Sequence, residues 1–522
     1  MNPATLPDRY VRWFGAVAFA LIALVYFVNV AHYAFQVDDA FISFRYAQNF
    51  TEGHGLVWNP GERVEGYTNF LWVVLIAAGM MVGAPPEISA NVLGIASGIA
   101  VLSILVLFSA RSWGWRSPAC WLAPAALALS RSFTAWSTGG LATQFFSLLV
   151  TSALLTLLVE RRRNSRGLLS SLLFGLAALT RPEGILFAAV AAGFQAFDLG
   201  FRRRDPKAVG VWLAPVVSIV AAHFLWRYGY YGAWLPNTFY AKVTGFSPEQ
   251  SLPYFRLFLG DYALHWFLPL ALAGSIVERR LTAERVLLTT AAIAYLAYVF
   301  YVGGDLFEFR FLVPVLPIVY WLIADGIRAL ARTSLVGPRW VPAGLAIAIA
   351  GAWGVATHRG SVDPAAEVRR GAVTSIPWMR LYTKSRASEG KLLHRLVLSG
   401  QLAPDTTIAV SGAGALPYYS RLPTVDTLGL NDAFIARQPV KRPGVVGHER
   451  AATAGYLKSR HVAIHDALNR LVFPGPPEKL RRRIAGRPLH AIRVGENKYL
   501  VFETTLDDAE FDRVFARFER VF

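Results

Sequence analysis

The apolar run from Phe14 to Phe35 limits what this chain can fold into more than any other stretch. At about 20 residues it is long enough to cross the hydrocarbon core of a bilayer as a helix. Two adjacent carboxylates, Asp38 and Asp39, follow at once, so they emerge at a membrane face. Residues 40–69 then mix acids, bases, glycines and aromatics before the chain turns apolar again. Such a loop between hydrophobic segments reads as a site rather than a linker.

Further apolar runs follow at 67–84, 90–110, 118–136, 141–159, 168–180, 183–199, 209–228, 263–277, 284–303, 311–331 and 339–356. With 54% hydrophobic and 16% charged residues, the chain reads as a polytopic membrane protein carrying a soluble portion. The net charge of +18 belongs largely to cytoplasmic loops by the positive-inside rule. Nucleic acid is not the expected partner, because no zinc-finger, RRM or helix-turn-helix pattern accompanies the charge. The single cysteine, Cys120, excludes an internal disulfide and a cysteine metal site. No cleavage context follows the first run, which therefore reads as an anchor helix.

Arg9 and Arg12 place the N-terminus inside and Asp38 and Asp39 outside. The basic clusters 161–166, 202–204 and 278–280, with Arg328, Arg332 and Arg339, mark inner loops. Parity then requires one early run to be juxtamembrane, and 67–84, with its polar start Tyr67-Thr68-Asn69, is the candidate. The expectation is about 11 crossings, N-terminus in and C-terminus out. Residues 1–356 form the membrane portion. Residues 357–522, richer in Pro, Gly and charge, read as an outer α/β domain. Strands are expected at 407–411 and 498–503, and an amphipathic helix at 506–522.

Sorting charge by side separates two populations. The inner loops are mostly Arg and Lys. The outer loops combine Asp38, Asp39, Arg45, Glu52, His54, Glu62, Arg63, Glu65, Arg181, Glu183, Lys242, Asp261, His265, Asp305, Glu308 and Arg310. Charge near membrane depth is costly and usually functional. Carboxylates can take a hydroxyl proton or hold a metal, and Arg and Lys can hold phosphate. Together they describe group transfer from a lipid phosphate.

Plainer readings stand beside these. Asp38-Asp39 are also good N-caps for a helix over 40–50, and Arg45 would share a stripe with Asp38 and could simply balance it. Arg181-Pro182-Glu183 also fits a turn with Pro at the first helical position. His54 and His265 read as polar loop residues. Asp325 is expected to pair with Arg328. Gly412-Ala413-Gly414 is a weak nucleotide signal and suits a tight turn. Asp426 to Asp432 suits an Asx-bonded turn.

The loop from Asp38-Asp39-Ala40-Phe41 through Gly53-His54-Gly55 to Glu62-Arg63-Val64-Glu65-Gly66-Tyr67-Thr68-Asn69 is more specific than any of its parts. It resembles the GT-C membrane glycosyltransferases, and within them the terminal β-(1→2)-arabinofuranosyltransferases. Ser137 to Thr143, Thr180 to Gly184, Leu235 to Lys242, Gly303-Gly304-Asp305 and Val425 to Asp432 extend the resemblance along the chain. Ala142 departs from it, standing where an acid is common.

The resemblance implies a GT-C fold with an extracytoplasmic active site. It implies a polyprenyl-phosphate-linked sugar donor, plausibly decaprenyl-phosphoarabinofuranose, and a cell-envelope glycan or glycolipid acceptor. By similarity Asp38 and Asp39 are the catalytic acids. Arg45, Arg181, Lys242 and Arg310 are candidates for the donor phosphate. His54, Glu65, Tyr67, Asn237 and Asp305 are candidates for sugar or acceptor binding. Metal ligands are unassigned and divalent-metal use stays open, as does retention against inversion. The competing readings are a lipid-linked sugar transporter or flippase, with no repeated halves to support it, and a non-catalytic envelope scaffold.

Overall fold

A computed structural model describes residues 8–521 except 166, 203–206, 243–245, 247, 333–339, 363–372, 442–448 and 485. Of the basic markers, Arg166, Arg203, Arg204 and Arg339 lie outside the described residues.

Among the described residues, six helices are long and apolar enough to cross a membrane. They are Trp13–His32, Pro86–Trp113, Thr143–Arg162, Lys207–Tyr231, Ala283–Tyr301 and the stretch Arg310–Ala331. The pair Pro248–Asp261 and Leu264–Val277, bent by 78°, makes a seventh if taken as one span. Shorter apolar helices cover Phe70–Met81, Pro118–Leu129, Leu168–Thr180 and Gly184–Asp198. A further 23-residue helix, Trp340–Val362, covers the last of the expected apolar runs. The run at 67–84 yields the 12-residue helix Phe70–Met81, short as a juxtamembrane segment would be. The run at 118–136 is broken after Leu129 and resumes as Arg131–Ala135.

Burial sorts these helices into layers. The stretch Arg310–Ala331 is 94% buried and forms the centre, whereas Lys207–Tyr231 is 11% buried and lies at the rim. The first helix leaves Phe14, Leu21, Leu24, Phe27 and Val28 exposed, as a lipid-facing surface requires. Asp325 accepts from Arg328 Nη2 at 2.7 Å and from Arg285 Nε at 2.7 Å, so its structural pairing is as expected.

The C-terminal portion holds two three-stranded sheets. Strands β1 (Ile408–Val410), β2 (Thr424–Asp426) and β3 (Ile464–His465) pair in parallel in the order β2-β1-β3. Strands β4 (Val472–Pro474), β5 (His490–Gly495) and β6 (Lys498–Phe502) are antiparallel in the order β4-β6-β5. Asn497, at φ 50°, turns the β5–β6 hairpin, a role suited to a short side chain that tolerates the left-handed region. The closing helix spans Asp508–Phe515 and starts from a capping box of Asp507 and Glu510.

The loop after the first helix docks on this C-terminal portion. Helix Ala40–Thr51 is buried from Ala40 through Asn49. Phe41 packs 5.4 Å from the Tyr418 ring and 5.5 Å from the Tyr419 ring. Asn59 donates to the Thr424 carbonyl at 2.8 Å and accepts from the Thr424 amide at 3.2 Å. Gly66 approaches so closely that a Cβ there would meet the Leu430 carbonyl at 2.9 Å and the Asn431 amide carbon at 2.7 Å.

Candidate active site

The two adjacent acids have different surroundings. Asp38 is buried, with 6% of its surface exposed. Its carboxylate accepts from the Gly414 amide at 3.1 Å and the Ala415 amide at 2.9 Å, at the start of helix Ala415–Ser420. Burial, the dominant effect, raises its pKa to about 6, while the two amides hold it down. Asp39 stands at the N-cap position of helix Ala40–Thr51 without a side-chain cap hydrogen bond. It is half-buried, and its carboxylate has no partner among the described residues. Neither acid therefore caps its own helix, so the plain capping reading fails. Asp38 caps a helix more than 370 residues further along the chain.

Asp39 faces Lys242. Burial lowers the Lys242 pKa, the negative charge of Asp39 raises it, Arg310 and Arg181 lower it and Asp305 raises it. Four side chains from the turns at 39, 181 and 305–310 thus act on the one lysine. The two arginines share an aromatic floor: the Arg181 guanidinium lies 4.9 Å and that of Arg310 5.1 Å from the Phe311 ring centroid. Each is held by its own carboxylate. Arg181 Nη2 donates to Glu183 Oε1 at 2.7 Å, and Arg310 Nη2 donates to Asp305 Oδ1 at 2.9 Å. Burial pushes Glu183 up, but Arg181 more than offsets it and leaves the pKa lowered. Burial dominates at Asp305, whose pKa stays raised despite Arg310, Lys242 and Arg181. Lys242 has no ion partner within bonding distance among the described residues.

The turn 137–143 positions the acids. The Val37 amide donates to the Gly139 carbonyl at 3.2 Å, and Trp72 Nε1 to the Gly140 carbonyl at 3.1 Å. Ala142, where the resemblance leads one to expect an acid, is buried at the start of helix Thr143–Arg162.

The other expected site residues lie elsewhere. Arg45 is not a phosphate ligand here. Its guanidinium donates to the carbonyls of Trp58 (2.7 Å), Pro417 (2.6 Å) and Leu422 (2.9 Å) and to Asn59 Oδ1 (3.0 Å). It clamps the loop to the C-terminal portion and does not pair with Asp38. Glu65 is taken by Arg227, whose Nε donates to it at 2.9 Å, and burial raises its pKa against that pull. Asn237 spends its amide on the carbonyls of Gly429 (2.8 Å) and Leu430 (3.0 Å). Tyr67 is buried, with its hydroxyl 3.1 Å from that of Tyr231. His54 is exposed on its loop. Asp261 and Glu308 are both bound to the fully buried Arg131, at 3.0 and 2.8 Å. Except for His54, these residues fix the frame of the site; Asp305 alone among the sugar candidates stands in the charged cluster.

Arg131 and Arg227, which hold that frame, are absent from the sequence-based set. Both lie inside apolar runs, and an isolated guanidinium at such a position is the signal that identifies them. Gly412-Ala413-Gly414 follows β1 as a phosphate-binding turn would, but its helix start receives the Asp38 carboxylate. Asp426 accepts from the Leu428 amide at 3.1 Å and the Asn431 amide at 2.9 Å, the expected Asx-bonded turn.

Residues 383–502 match a domain family described as a domain of unknown function (DUF8728). A terminal β-(1→2)-arabinofuranosyltransferase of Mycobacterium tuberculosis is 29% identical over 269 residues, which is 48% of this chain and 41% of that protein. The match therefore spans about two-fifths of that relative's length. The crystal structure of ArnT from Cupriavidus metallidurans bound to undecaprenyl phosphate superposes with a TM-score of 0.59 at 15% identity, covering 94% of this chain and 98% of that one. The apo oligosaccharyltransferase of Archaeoglobus fulgidus gives a TM-score of 0.50 at 14% identity, covering 94% of this chain and 74% of that one. The chain is thus a multi-pass membrane protein with the GT-C fold, similar in sequence to a terminal arabinofuranosyltransferase.

Proposed function

We propose that this protein is an integral-membrane glycosyltransferase. In the most specific form of the proposal it moves arabinofuranose from a polyprenyl-phosphate donor to a cell-envelope glycan, on the outer face of the cytoplasmic membrane. The observation that carries it is the convergence of the Arg181 and Arg310 guanidiniums on the Phe311 ring, where their charges and that of the half-buried Asp39 all act on Lys242. Similarity to the arabinofuranosyltransferase supports the sugar. The fold shared with ArnT, crystallised with undecaprenyl phosphate, supports the lipid carrier.

The chemistry follows from the charges. Lys242, poorly solvated and crowded by two guanidiniums, gains from an arriving phosphate oxyanion. Arg181 and Arg310 each keep Nη1 without a partner among the described residues and can donate to the same group. In the transfer the acceptor hydroxyl oxygen bonds to the anomeric carbon. The bond from that carbon to the phosphate oxygen breaks, and polyprenyl phosphate leaves with the electron pair. The hydroxyl proton passes to Asp39. Positioned cations stabilise the charge that grows on the leaving phosphate, commonly the largest catalytic contribution. Asp38 holds the acid-bearing turn against helix Ala415–Ser420 and is a positioning residue.

Among the described residues no three His, Cys, Asp or Glu side chains converge as metal ligands. With both Asp38 oxygens already accepting amides, no step is assigned to a divalent ion.

The decisive experiment gives purified protein polyprenyl-phosphate pentose and hexose donors with arabinan and other envelope glycan acceptors. Arabinofuranosyl transfer that disappears in Asp39→Asn is expected. Turnover of hexose donors alone would remove the arabinose assignment, and no transfer from any prenyl-phosphate sugar would sink the enzyme reading.

A further inference from the structure

An open groove of about 580 Å³ lies where helix Ala40–Thr51, helix Ile376–Leu398 and helix Ala415–Ser420 meet. Lys391, Arg395, Arg421, Gln48, Tyr418 and Tyr419 line it, with His394 and Ser388 beside them and no acidic residue in the lining. We propose that this groove binds an anionic carbohydrate chain. It would act as the distal acceptor subsite, a role that rests on the glycosyltransferase reading, although the binding itself does not.

Several observations converge on it. The Lys391 ammonium stands 4.4 Å over the Tyr419 ring, and Phe41 packs on Tyr418 and Tyr419 from behind, so the tyrosine wall is fixed. Aromatic walls suit sugar rings, and lysine and arginine suit carboxylate or phosphate substituents. Gln48 is 92% buried yet reaches the groove, and with its side-chain oxygen turned it accepts from Arg421 Nε at 3.3 Å, which steadies that guanidinium at the groove wall. His394 Nδ1 is buried without a partner among the described residues, leaving a polar group of the lining unspent.

Arg421 adds an argument from the backbone. It ends helix Ala415–Ser420 at φ 61°, a left-handed position where glycine or asparagine is the easier choice. An arginine in that strained position, paired with the exposed Glu52 at 3.1 Å, sets a guanidinium at the edge of the groove.

Placement fits an acceptor better than a lipid headgroup. Gln48 follows Asp39 by nine residues along one helix, roughly 14 Å. A chain lying in the groove could therefore present its end toward the charged cluster. Tyr419 bonds Glu87 at 2.6 Å, which anchors the wall to the start of helix Pro86–Trp113.

The test uses the full chain in phosphatidylcholine nanodiscs and reads binding by calorimetry, not transfer. Hexagalacturonate is compared with maltohexaose at low and high salt. The double variant Lys391→Gln/Arg395→Gln and the single variant Arg421→Gln are measured beside the wild type. Binding of the charged hexamer alone, weakened about tenfold or more by the double variant and by salt, is expected. Three results would overturn the proposal: no binding, equal binding of the neutral hexamer, or no effect of the double variant. Loss of hexagalacturonate binding in phosphatidylglycerol nanodiscs would also overturn it and mark a lipid site. A protein that binds the charged hexamer but transfers no sugar would break the enzyme reading and leave this one standing.

Discussion

At the residue scale the two neighbouring acids have diverged in role although they are chemically identical. Asp38 is closed by two backbone amides, and Asp39 is open toward Lys242. Asp39→Asn keeps the shape of a half-buried, unbonded side chain. It should lower transfer by about 10²–10⁴-fold with an unchanged melting temperature, and retained activity would place catalysis elsewhere. Asp38 carries a pH signature instead. Its folded pKa of about 6 lies above the ordinary 3.8, so the folded state binds the proton more tightly. The protein is therefore most favoured below the unfolded value and loses that stabilisation as pH rises through 6. Asparagine does not titrate. Between pH 7 and pH 5 the wild type should gain about 1 kcal/mol relative to Asp38→Asn. Thermal unfolding in nanodiscs at the two pH values measures it, and a constant gap would contradict the burial argument.

At the element scale the structure turns on how helix Ala40–Thr51 meets helix Ala415–Ser420. Gly414 sits where a Cβ would press on the Asp38 carbonyl carbon and carboxylate. Backbone cannot give way as a flexible side chain can, so Gly414→Ala should cost about 1–3 kcal/mol. Limited proteolysis should cut the C-terminal portion faster in this variant, whereas Gly455→Ala, in open space, should behave as wild type. Arg45 belongs to the same joint. Its four hydrogen bonds close the seam between loop and sheet, and a buried guanidinium keeps such a place only when its donors are matched. The sequence spacing aligned Arg45 with Asp38 on one stripe but could not show that residues 417–422 would cover that stripe.

At the scale of the whole molecule, turns remote in sequence supply one cluster. Arg181, Lys242 and Arg310 come from three separate turns, and Asp39 from a fourth. Topology can be tested directly, because the single cysteine, Cys120, is buried and leaves a quiet background. Asn164→Cys and Pro60→Cys should react with an impermeant thiol reagent from opposite sides of the membrane. Labelling of both from one side would break the orientation on which the outer-face site depends.

The sequence by itself determined the membrane class and the small strands at 407–411 and 498–503, and it singled out the acids and cations that lie between the apolar runs. Hydrophobic runs and charge asymmetry are local properties that a bilayer reads directly. It did not determine which charges were free. Glu65, Asn237, Arg45 and Asp38 look as reactive in the sequence as Asp39 and Lys242, yet each is bound to a partner far along the chain. Only the tertiary structure decides that, because a buried polar group must find its hydrogen bonds wherever the fold brings them. What remains unpaired after that is the part left for chemistry.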